Sequence, residues 1–157
     1  MIEPIITLGK KTVVAMVHLP ALPGSPDYDP EVGMNKILDA VVSDLEALQS
    51  GGVDAVMFGN EFDRPYVLKA PPEGLAALAA VIGQVKSMIM VPFGVNYLWD
   101  PLATVALAVA TEANFAREIY TGLYASDMGL WAPDCAGAAR LRSSSGRLDL
   151  QMLFNIN

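Results

Sequence analysis

Five short apolar runs, rich in β-branched residues, recur along this chain, and four of them give way to a segment whose apolar residues recur every three or four positions. The first run, "VVAMVHL" (13–19), reads as a strand buried on both faces. It leads through a loop holding Pro20, Pro23, Gly24, Pro26 and Pro30 into a helix marked by Met34, Ile37, Leu38, Val41, Val42, Leu45 and Leu48. Gly51 and Gly52 are expected to end that helix, because glycine enters the left-handed region without a Cβ penalty. The unit then repeats. Strands are expected over 54–60, 89–96, 115–120 and 148–156, and helices over 72–88, 101–111 and 133–145. Asp100 and Pro101 spell an N-cap and first-turn pair at the start of the third helix.

Such alternation predicts an α/β fold with parallel strands. Two architectures satisfy it, an open doubly wound sheet and a (β/α) barrel of the TIM type. A dinucleotide-binding sheet would carry a G-x-G-x-x-G turn after its first strand, and here that position reads "LPALPGSPDYD". The expected strands end instead on polar residues: His18, Asn60 with Glu61, Asn96, Arg117 with Glu118, and Asn155. Barrel enzymes assemble their sites from the ends of several strands, so the TIM-barrel reading is preferred. A barrel of that type needs about eight units, and five are legible here. The expectation is a single partial barrel domain over 1–157, truncated after five β/α units. Its last strand would leave an open apolar edge, to be covered by a homo-oligomeric partner or by a missing C-terminal half.

Composition narrows the function classes. The net charge of −7, with no cluster of Lys and Arg, argues against nucleic acid. The longest apolar stretches, 74–83 and 102–110, are about half the length a transmembrane helix needs, and the first residues show no signal-peptide pattern. A lone cysteine, Cys135, makes no internal disulfide and fits a reducing cytoplasm.

Candidate site residues follow from the strand ends. His18 would share a strand face with Val14 and Met16 at the catalytic end, as a general base or metal ligand, against the alternative of a packed, carbonyl-bonded imidazole. Glu61 and Asp63 could join it in a carboxylate–imidazole cluster for acid–base work or for holding a divalent ion; Arg64 could equally pair one of these acids on the surface. Asn96 is expected as an orienting donor and acceptor for substrate, and Asp100 as a helix cap. Arg117 and Glu118, adjacent in a strand, must face opposite sides, and each needs a partner if buried. Arg117 would clamp an anionic substrate group or pair with an acid such as Glu61. Residues 121–131 read as a loop of functional length carrying Tyr124, Ser126 and Asp127, of which Asp127 is the best loop carboxylate. Trp99 and Trp131 would wall a pocket or pack on neighbouring loops. No G-x-S-x-G elbow is present, and one cysteine cannot build a thiolate metal site. Catalytic roles thus fall to His18, Glu61 and Asp127, and substrate contacts to Asn96, Arg117, Tyr124 and Asn155.

The blocks "MVHLPALPGSPDYD", "GGVDAVMFGNEFDRPY", "VPFGVNYLWDPLATVALA", "REIYTGLYASDMGLW" and "LFNI" resemble the BtpA/SgcQ family, in the family's order and over nearly the whole chain. The "GNEFDRP" block is closer to the SgcQ-like branch than to the photosynthetic one. The resemblance implies a TIM barrel with about three further β/α units. It also departs from the family: Glu112 in "ATEA" stands where a glycine is usual, which costs on the order of 1 kcal/mol if the backbone there needs positive φ. The resemblance implies no established reaction or cofactor. One role, which rests on the strand-end residues and not on the family, is an enzyme acting on a small polar or phosphorylated metabolite. The other is a non-catalytic biogenesis factor for a membrane complex such as photosystem I, reached through a protein partner because the chain has no basic amphipathic helix.

Overall fold

A computed structural model describes residues 4–6 and 9–155. Its main sheet is formed by β1 (Val14–His18), β2 (Ala55–Gly59), β3 (Phe93–Asn96), β4 (Phe115–Glu118) and β7 (Gln151–Phe154), all parallel and adjacent in chain order. Strand order never reverses, so the sheet lacks the switch point of a doubly wound fold. Helices α1 (Gly33–Ser50), α2 (Pro72–Val85), α3 (Pro101–Thr111) and α4 (Cys135–Ser144) link the strands.

All four helices cover one face. Val17, Val56, Phe58, Phe93, Val95 and Ala116 alternate to that side and share a core with Ile37, Val41, Leu45, Leu78, Ile82, Leu107 and Ala138. The opposite face carries Val14, Met16, Ala55, Met57, Phe115 and Leu153, and among the described residues only Ile5 from outside the sheet packs there. A sheet curved around one bare face is the inner wall of a barrel, and the fold is of the TIM-barrel type. Gly94 is required on this wall, since a Cβ there would overlap the Phe115 ring from the next strand.

Several boundaries differ from the sequence reading for local reasons. The first helix stops at Ser50, and it is Gly52 (φ +77) rather than Gly51 (φ −73) that turns left-handed. The second helix ends at Val85 in a single 3-10 turn, Lys86–Met88, and the third strand begins only at Phe93, after Pro92. The last strand starts at Gln151 because Arg147–Leu150 form a turn, and Ile156 of the expected strand lies outside the described residues. The expected loop 121–131 contains a small antiparallel hairpin, β5 (Tyr124–Ser126) with β6 (Gly129–Trp131), turning at Asp127–Met128 with Gly129 at φ +95.

Asp100 caps α3 as expected, accepting from the amides of Leu102 and Ala103 at 3.0 Å each. At the other end of that helix Glu112 adopts φ 58, ψ 36, so the position does demand the left-handed conformation. Its carboxylate is pulled below the usual range by the ion pair it forms with Lys86.

Candidate active site at the strand ends

Two polar groupings occupy the C-terminal ends of the strands. The first lies in the loops after β2 and β3. Asn60, 1% exposed, receives the Leu98 amide on Oδ1 at 2.7 Å and donates to the Leu98 carbonyl and to Asp63, both at 3.4 Å. Asp63 also accepts from the Leu22 amide at 3.2 Å and from the Tyr97 hydroxyl at 3.3 Å. Tyr97 is fully buried. Burial, reinforced by Asp63, pushes its phenol pKa up, so it stays a neutral donor. Its hydroxyl comes so close to α2 that a Cβ on Gly74 would overlap it. Asp100, besides its cap, accepts from the Ala70 amide at 2.9 Å. These residues tie the loops after β1, β2 and β3 into one unit with little hydrogen-bonding capacity to spare.

The second grouping is a row across the bare wall. Register pairs His18 with Gly59, Gly59 with Asn96, and Arg117 with Leu153, while Val95 opposite Ala116 carries Asn96 to the position beside Arg117. His18, Asn96 and Arg117 therefore stand at one level, neighbouring strands being about 4.8 Å apart. The His18 ring meets Phe62 edge to face at 6.2 Å and makes no hydrogen bond among the described residues. Arg117 is half-buried and forms no ion pair or side-chain hydrogen bond among them. Below it lies a recess of about 260 Å³ lined by Val14, Met16, Met57, Phe115 and Leu153. Asn96 is 2% exposed, and its Nδ2 donates to the Arg117 carbonyl and to Glu118 Oε2, both at 2.7 Å.

Glu118, on the opposite strand face to Arg117, is the most perturbed acid here. It is 2% exposed and accepts from the Ile119 amide at 2.8 Å, from Asn96, and from Thr104 Oγ1 at 3.5 Å. Burial outweighs these bonds and the nearby Arg117 charge, raising its pKa from 4.5 to about 7. The sequence reading named Glu118 only as the neighbour of Arg117. Its raised pKa comes from burial against β3 and α3, which bring Asn96 and Thr104 to it, and no local pattern announces that.

The remaining expected residues lie elsewhere on the rim. Glu61 pairs with Arg64 at 3.7 Å, the surface arrangement weighed above, while Asp63 is committed to the loop knot. Among the described residues no three His, Cys, Asp or Glu side chains converge as metal ligands, so His18, Glu61 and Asp63 do not form a ready metal site. Asp127 sits at the exposed hairpin tip. Tyr124 donates to the Thr121 carbonyl at 2.9 Å and packs on Trp131 at 5.4 Å. Trp131 meets Trp99 at 5.7 Å, and Trp99 meets Tyr66 at 6.1 Å, so the two tryptophans seat the hairpin on the loops. Asn155 follows β7, half-buried, with its amide on the Glu118 carbonyl at 3.3 Å. No helix among the described residues is long and apolar enough to cross a membrane.

Solved dihydropteroate synthases share this architecture. The enzyme of Vibrio fischeri superposes with a TM-score of 0.62 at 14% identity, over 94% of this chain and 46% of that one. The Yersinia pestis enzyme gives 0.59 at 15% identity, over 97% and 48%. At such identities the likeness shows the TIM-barrel fold alone. By sequence, the chain is 53% identical to the putative sgc region protein SgcQ of Escherichia coli over 94% of its own length and 55% of that protein's. It is 34% identical to a protein of Pyrococcus horikoshii (86% and 52%), and 29% identical to the photosystem I biogenesis protein BtpA of Synechocystis (75% and 42%). The greater identity to SgcQ agrees with the "GNEFDRP" reading, and the chain spans about half the length of the curated relatives it matches. The BtpA family model matches residues 9–157, and the chain belongs to the BtpA family.

Proposed function

We propose that this chain forms the substrate-binding rim of a cytoplasmic barrel enzyme that acts on a small polar or phosphorylated metabolite by acid–base chemistry. The observation that carries this reading is the row of His18, Asn96 and Arg117 at one level of the bare wall, with two of the three side chains unpartnered among the described residues. A side chain that packs for stability satisfies its polar atoms internally; these hold donors and acceptors open above an apolar floor. His18 is assigned the proton transfer, with Glu61 and Asp127 as further carboxylates from the loops. Asn96, Arg117, Tyr124 and Asn155 are assigned to the substrate. In phosphate-handling barrels the anion site commonly lies after strands seven and eight, so further β/α units would complete the cavity.

The test is solvent deuterium incorporation, followed by NMR, into a panel of hydroxy acids and sugar phosphates incubated with the protein. The expected result is exchange at one carbon-bound position, abolished by His18→Gln in a variant that melts within about 2 °C of the parent. Absence of exchange in the whole panel, with no ligand shifting the melting temperature, sinks the reading. One observation favours a second role, the name of the Synechocystis relative as a photosystem I biogenesis protein. On that reading the rim would hold a protein partner, and His18→Gln would leave partner capture unchanged.

A further inference from the structure

We infer that Asn96 and Arg117 together select a ligand bearing an anionic oxygen group beside a hydroxyl or amino hydrogen, and that Glu118 is the positioning residue that fixes Asn96 for this task. The inference rests on the reading of the rim above and names the class of molecule it takes.

The anionic half follows from Arg117. Arg117 lines an apolar recess and has no carboxylate within ion-pair distance among the described residues. A planar cation in such surroundings gains most from a carboxylate or phosphate that meets it with two parallel hydrogen bonds. Glu118, the acid next to it in sequence, faces the other way and is engaged by Asn96, Ile119 and Thr104.

The donor half follows from Asn96. Both acceptors within its reach, the Arg117 carbonyl and Glu118 Oε2, lie at 2.7 Å from Nδ2. Rotating the amide by half a turn would set Oδ1 against two acceptors, so its orientation is fixed. Oδ1 accepts nothing among the described residues and is not among the sealed unpartnered atoms, so it remains to receive a ligand hydrogen. Asn96 shares one level with Arg117 on a neighbouring strand whose backbone lies about 4.8 Å away, so one small ligand reaches both. On its other side Gly59 keeps the wall open: a Cβ there would meet nothing nearer than Met16 Cε at 3.5 Å and the Asn96 carbonyl at 3.8 Å. The class is therefore a hydroxylated or aminated carboxylate or phosphate ester.

The experiment is an NMR titration of this chain, following Arg117 Nε–Hε and the Asn96 side-chain amide, with acetate against glycolate and inorganic phosphate against glycerol 3-phosphate. Either pair can carry the result, and comparison of the two tells a carboxylate ligand from a phosphate one. All binding anions should shift Arg117. Within the favoured pair the hydroxylated member should bind about fivefold tighter, the worth of one ordinary hydrogen bond, and alone should shift Asn96. Arg117→Met should abolish binding. Glu118→Gln removes one of the two acceptors that hold the amide, leaving the Arg117 carbonyl; anion binding should survive while the hydroxyl preference weakens. If that variant does not fold, the parent decides the matter, since both Asn96 Nδ2 protons must be protected from solvent exchange before ligand is added. Equal binding of both members of each pair, or an Arg117 signal indifferent to every anion, overturns the inference. Loss of the hydroxyl preference with His18-dependent exchange intact overturns it alone; the converse overturns only the acid–base reading.

Discussion

The loop knot and the wall row are both built from polar residues at strand ends, yet they spend their hydrogen bonds differently. In the knot, Asn60, Asp63, Tyr97 and Asp100 satisfy one another and the backbone of three loops. In the row, His18 and Arg117 make no side-chain hydrogen bond among the described residues, and Asn96 holds one oxygen free. Position at a strand end therefore does not by itself separate the two groups; unused hydrogen-bonding capacity does. The knot fixes the loops so that the row can afford open groups.

Four measurements would break or sharpen this contrast. The largest effect belongs to Glu118, which lies beneath the row but is satisfied like the knot. Because burial raises its pKa, the folded chain binds this proton more tightly than the unfolded chain. The stabilisation is full below pH 4.5, is lost as pH climbs to about 7, and does not change further above that. The span from 4.5 to about 7 corresponds to about 3 kcal/mol, and urea titrations at pH 5, 6, 7 and 8 should show that descent in the parent and not in Glu118→Gln. A flat parent curve would place Glu118 in water. Next, Asn60→Ala orphans the Leu98 amide and should cost about 2 kcal/mol in chemical unfolding; a neutral result would demote the knot to ornament.

Outside both regions, Glu112→Gly relieves the left-handed strain and should raise stability by about 1 kcal/mol, less whatever the exposed pair with Lys86 contributes. The smallest effect is expected in the row itself. Arg117→Met should change stability by less than about 0.5 kcal/mol, and His18→Ala by about 0.5 kcal/mol for the lost edge-to-face contact with Phe62, measured by thermal unfolding, because neither side chain makes a hydrogen bond among the described residues. A larger loss in either would move that residue from the row to the structural class.

How much of this was legible in the sequence varies with the range of the interaction. The repeating strand and helix pattern and the Asp100 cap depend on neighbours in sequence and could be read directly, whereas the left-handed position of Glu112 came from the family resemblance. The row was legible residue by residue, since His18, Asn96 and Arg117 each end an apolar strand, but its shared level depends on register. The knot was only half visible. Asp63 was grouped with His18 and Glu61, and the Tyr97 hydroxyl that claims it arrives from β3, 34 residues away. Glu118 could not be separated from Arg117, because alternation says the two face apart without saying which faces the helices. The hairpin at 124–131 was missed because strands of three residues carry too little alternation to show a period.

The stacked aromatics have an optical consequence. The chain has two tryptophans, and Trp99 and Trp131 lie 5.7 Å apart at 88°, with Tyr124 and Tyr66 at either end. Two indoles at that distance share their excitation, and all the tryptophan emission comes from the seam between the hairpin and the loop after β3. Near-ultraviolet circular dichroism and fluorescence therefore report on that seam, and a ligand that lifts or presses the hairpin would announce itself without any added label.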